Sequence, residues 1–179
     1  MKVRWGLLWG CVGLAAVHPG TPAAAHVSLE KGEARADTSY KAVLRVTHGC
    51  EGSPTLTFRV SIPEGVFNVK PMPKPGWTIR LVRGRYATPQ VSHGKTYASG
   101  VQEIVWSGGR LPDDFYDEFV FRARLAGASR ATTLYFPAVQ ECEKGENRWT
   151  EIPAPSQPRP RHPAPGLKVL PSASPHGHH

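Results

Sequence analysis

The residues Thr55-Leu56-Thr57-Phe58-Arg59-Val60-Ser61-Ile62 alternate apolar and polar without a break. A period of two suits an extended strand with one buried face and not a helix. It predicts Leu56, Phe58, Val60 and Ile62 on the buried side. Residues 40–46 repeat the pattern with Ala42, Leu44 and Val46. Residues 77–82, 101–106, 118–125 and 132–139 read as further strands, bounded by turn signals such as Lys74-Pro75-Gly76 and Ser107-Gly108-Gly109. No helical period is sustained over ten residues. Short strands at intervals of roughly 10 to 20 residues predict an all-β fold, an immunoglobulin-like antiparallel β-sandwich. Trp77 and Trp106 are expected to plug it.

Ahead of these strands stands a leader. Lys2 and Arg4 precede an apolar run from Trp5 to Val17, then Pro19, Gly20, Pro22 and Ala23-Ala24-Ala25. A basic start, an apolar core too brief to span a bilayer and an Ala-x-Ala site predict a secretory signal peptide over residues 1–25. Cleavage after Ala25 makes His26 the first mature residue, although three alanines offer neighbouring registers. Removing residues 1–25 from 179 leaves 154, enough for one domain with a substantial core. No later stretch is apolar enough to span a membrane, so the expected product is soluble and periplasmic or secreted.

Two basic residues leave with the leader, which lowers the net charge of +8 to +6. The remaining Lys and Arg are scattered, without the runs that nucleic-acid arms show, and no nucleic-acid partner is expected. Cys50 and Cys142 are the cysteines left. In an exported protein they most simply pair as a disulfide; a soft copper site of two thiolates is the alternative.

From Pro153 onward prolines are frequent and large apolar residues few, so residues 26–153 read as the domain and residues 154–179 as a disordered Pro/His-rich tail. Only residues 167–170 could dock, as an edge strand. His176, His178 and His179 offer a loose secondary metal site, a solvated end or an expression tag.

A mature amino-terminal histidine has its own chemistry. The α-amine and the ring Nδ1 of His26 can chelate one ion together, and two coplanar nitrogens suit Cu(II), which favours tetragonal N/O surroundings. Further donors are sought among the carboxylates and the remaining histidines, His48 and His93. The densest cluster is His48-Gly49-Cys50-Glu51, in a turn between two strands. There Glu51 is either a ligand on a rigid turn or a solvated carboxylate.

Several blocks in one order carry a family resemblance. They are Ala25-His26-Val27-Ser28-Leu29, His48-Gly49-Cys50-Glu51-Gly52-Ser53, Lys70-Pro71-Met72-Pro73-Lys74-Pro75-Gly76-Trp77, Trp106-Ser107-Gly108-Gly109, Tyr116-Asp117-Glu118-Phe119, and Leu134-Tyr135-Phe136-Pro137 through Gln140-Glu141-Cys142-Glu143 to Trp149. Over residues 25–153 the chain resembles the YcnI-like family of exported copper-binding domains. The resemblance implies a β-sandwich that binds one Cu(II) per chain. His26 would chelate it, Glu51 would give an oxygen donor, and Trp149 would lie against the metal.

The implied function is copper buffering or delivery, as a metallochaperone and not an enzyme, with a membrane copper transporter or a copper-site assembly protein as partner. Two alternatives stand beside it. A copper mono-oxygenase needs a second histidine and an open coordination position. A metal-independent interaction module needs only the sandwich.

Overall fold

The computed structural model describes residues 26–158 and 160–173; the leader and His176, His178 and His179 lie outside the described residues. Twelve strands and no helix are present among the described residues. One sheet runs in the order β1 (Ser28–Leu29), β3 (Ser39–Val46), β8 (Asp117–Leu125), β5 (Val66–Pro71). The other runs β11 (Glu146–Trp149), β10 (Ala138–Cys142), β4 (Thr55–Ser61), β7 (Lys95–Leu111), β6 (Thr78–Ser92). All pairings in both sheets are antiparallel.

The two sheets bury their inner faces against each other. Leu44, Val46, Phe119 and Phe121 of the first meet Phe58, Val60, Ile104 and Trp106 of the second, and all eight are fully buried. Phe119 joins the layers, with its ring 4.5 Å from Phe58 and 5.4 Å from Trp106. Trp106 lies within this core, whereas the half-buried Trp77 packs edge-on against Phe119 at 5.0 Å. This is the predicted sandwich.

Two strand expectations are corrected. In β4 the alternation holds at Phe58 and Val60, but Thr55 is buried and Leu56 only partly so. Thr55 pairs with Leu111 and Thr57 with Ser107, which leaves extra residues on β7 around Gly108, whose φ is +78°. Such a bulge interrupts the regular pairing at this end of β4. Residues 132–139 are not one strand either. Pro137 divides them into β9 (Thr132–Tyr135) and β10, which belong to different sheets.

The C-terminal expectation changes most. Residues 154–179 are not a tail throughout, because β12 (Gly166–Leu170) forms the middle of a third sheet between β2 (Glu33–Arg35) and β9. It pairs parallel with β2 and antiparallel with β9, so it is not an edge strand. Leu167 and Val169 point inward and join the core. The alternation Leu167-Lys168-Val169 is enough to close the sandwich, and composition alone hides it.

Cys50 and Cys142 form a disulfide with Cα atoms 5.9 Å apart, in place of a dithiolate metal site. It fastens the turn after β3 to the end of β10. With the cysteines 92 positions apart in sequence, replacing both by serine is expected to lower stability by roughly 4 kcal/mol. Urea unfolding of the C50S/C142S variant measures this, and a midpoint equal to wild type would exclude a stabilising role for the bond.

Candidate metal centre

Trp149 ends β11, where it pairs with Ala138 of β10, and only 4% of it is exposed. An indole N–H buried this deeply needs an acceptor. It donates to Gln140 Oε1 at 3.3 Å. Gln140 is itself buried, and its Nε2 donates to the His48 carbonyl at 2.6 Å and to Thr55 Oγ1 at 2.7 Å. Because indole is a donor only, this network fixes which way the Gln140 amide points. It also accounts for the inward Thr55, whose hydroxyl a strict alternation would have turned to the other face.

The His48 carbonyl thereby belongs to a rigid loop. Gly49 N–H donates to Asp113 Oδ1 at 2.6 Å, and a Cβ at Gly49 would overlap the Ser53 carbonyl. His48 Nδ1 lies 2.6 Å from the Gly49 carbonyl. A carbonyl only accepts, so Nδ1 carries a proton. Cys50 and Ser53 then exchange both backbone hydrogen bonds around Glu51 and Gly52, with φ of +50° and +83°. That is the geometry of a two-residue type I′ turn.

Three imidazoles stand edge-on around the Trp149 indole. The ring of His26 is 5.6 Å away, that of His48 6.2 Å and that of His162 5.3 Å. His26 is held there because Val27 is buried and Ser28 pairs with Arg45 of β3. It lines a depression with Tyr135 and the segment 163–166, of about 410 Å³.

Of the predicted trio, the structure therefore brings His26 and Trp149 together. Glu51 is exposed and lines a separate depression with Ser53, Pro54, Glu143 and Lys144, which shares no residue with that of His26. His93 sits on the tight turn between β6 and β7. His162 is not among the sequence-derived candidates, because its own stretch is rich in proline; the alternation at residues 167–170 was the available signal for its return.

The donors gathered at Trp149 are nitrogen donors, which suit copper, zinc or nickel better than a hard cation. Among the described residues no three His, Cys, Asp or Glu side chains already converge on one point. The backbone nitrogen of His26 becomes a further donor if the chain is cut after Ala25.

Residues 26–169 match the model of a domain of unknown function, DUF1775. No curated protein shows a significant match. Among solved structures, the chain is similar to an uncharacterized protein from Nocardia farcinica described as having an immunoglobulin-like fold. The TM-score is 0.60 at 24% identity, over 81% of this chain and 98% of that one. That likeness supports the fold. Among the described residues no helix is long and apolar enough to cross a membrane.

Proposed function

Since the chain belongs to the DUF1775 family, we propose that it is a YcnI-like exported protein that holds one Cu(II) at its mature amino terminus and acts in copper buffering or delivery. One observation carries the reading: the His26 ring lies against the buried indole of Trp149, two residues that the family resemblance pairs at a metal. In this reading the amine and Nδ1 of His26 bind the ion in one plane. Trp149, locked by Gln140, covers one side and keeps water off it. The Cys50–Cys142 disulfide supports an oxidising compartment.

Glu51 has less support as the oxygen donor, since it lines a depression that shares no residue with that of His26. His48 is better situated to complete the set. The protein holds the ion and performs no chemistry on it, and the recipient is a membrane copper transporter or a copper-site assembly protein.

The test uses the mature chain beginning at His26. One equivalent of Cu(II) is expected to quench the Trp149 fraction of its fluorescence, and W149F is expected to lose that response while retaining the signals of Trp77 and Trp106. A titration with no break at one equivalent would end the copper reading. The oxidative alternative would also use the imidazole of His48; peroxide formed by the reduced copper form would favour it.

A further inference from the structure

Residues 160–165 form a strap that returns across the Trp149 end of the sandwich. Three hydrogen bonds to Glu151 hold it. The His162 backbone N–H donates to Glu151 Oε2 at 2.7 Å, Glu151 N–H donates to the His162 carbonyl at 3.1 Å, and Ala164 N–H donates to the Glu151 carbonyl at 2.8 Å. Just beyond, Phe136 N–H donates to the Pro165 carbonyl at 2.8 Å, and β12 enters its sheet. Backbone fixed in this way presents a side chain at low entropic cost.

That side chain is His162. Its ring is nearer to Trp149 than those of His26 and His48. The residues that follow it, Pro163, Ala164 and Pro165, wall the depression that His26 lines. Ring contact and shared depression independently bring the strap to the place where the amino terminus lies. A residue needed only to pack on the indole could be apolar. An exposed imidazole keeps a nitrogen lone pair beside the proposed ion.

Resting on the copper reading above, we infer that His162 is a nitrogen donor to the same ion that His26 chelates. The C-terminal strap then builds the site together with the mature amino terminus. The ligand class is a borderline divalent cation with a preference for imidazole, foremost Cu(II). Rotation of the exposed His162 and half-buried His26 side chains brings their nitrogens to the ion. Glu151 is a positioning residue, because it fixes the backbone from which His162 projects.

The experiment titrates Cu(II) alone into the mature chain, H162A and H162F. Phenylalanine keeps a ring against Trp149 and removes both nitrogens, so it separates packing from coordination. Both variants are expected to raise Kd by about tenfold or more. Both are expected to remove one nitrogen from the superhyperfine pattern of the electron paramagnetic resonance spectrum. Copper-free thermal unfolding of H162F should match wild type, which keeps the comparison valid even if H162A is destabilised. H162F with wild-type Kd and an unchanged nitrogen count would overturn the inference and leave the copper reading standing. A wild-type chain that binds no Cu(II) would overturn both.

Discussion

Leaving Ala25 attached to His26 is expected to weaken Cu(II) binding on the order of 100-fold, with the fold unchanged. The extra residue turns the α-amine into an amide, whose nitrogen no longer offers a lone pair. His26 then binds through its ring alone. Losing one arm of a chelate removes the effective concentration that the first arm gave the second, a factor of about 10² to 10⁴ for well-matched pairs. The lower end applies here because His48 and His162 remain beside Trp149. Stability should not move, since Val27 stays buried and Ser28 still pairs with Arg45. Competition against a chromophoric chelator measures the affinity, and thermal unfolding without copper supplies the control. Equal affinity for the two forms would show that the amine is not a ligand.

The sandwich was readable because its central strands obey a period of two. Tyr40, Ala42, Leu44 and Val46 are all buried as the alternation requires. The pattern fails where polar chemistry takes over. Thr55 faces inward because Gln140, buried beneath Trp149, needs its hydroxyl. A similar limit applies to the site. The cleavage motif singles out His26 and the family resemblance singles out Trp149, and the structure sets their rings 5.6 Å apart.

Glu51 lies in a different depression from His26, although its turn is anchored by the neighbouring disulfide. Positive φ at both Glu51 and Gly52 makes the turn tight, and Glu51 lines the depression that Lys144 also lines. His48, three residues earlier, reaches the indole instead. His162 depends on a long-range pairing, and the alternation in β12 marks a strand without naming its partners. The strap returns because β12 pairs with β2, more than 130 residues earlier in the chain.

That pairing makes truncation the second large effect. A chain ending at Pro153 is expected to lose most of its stability, whereas one ending at Ala173 should fold like the full chain. The shorter chain lacks β12, and with it the buried Ala164, Leu167 and Val169. Burial of Leu and Val side chains contributes roughly 1.5 to 3 kcal/mol each, so these two alone account for about 3 to 6 kcal/mol. The backbone groups of β2 and β9 that β12 satisfies would also lose their partners. Domains of this size commonly hold a margin of about 5 to 15 kcal/mol, so most of it is at stake. Urea unfolding of both chains provides the comparison, and a wild-type midpoint for the shorter chain would refute the structural role of β12. A fall in copper affinity on cutting at Pro153 would therefore report loss of the sandwich edge as much as loss of His162. Only point variants that keep β12 in place separate the ligand from the scaffold that carries it.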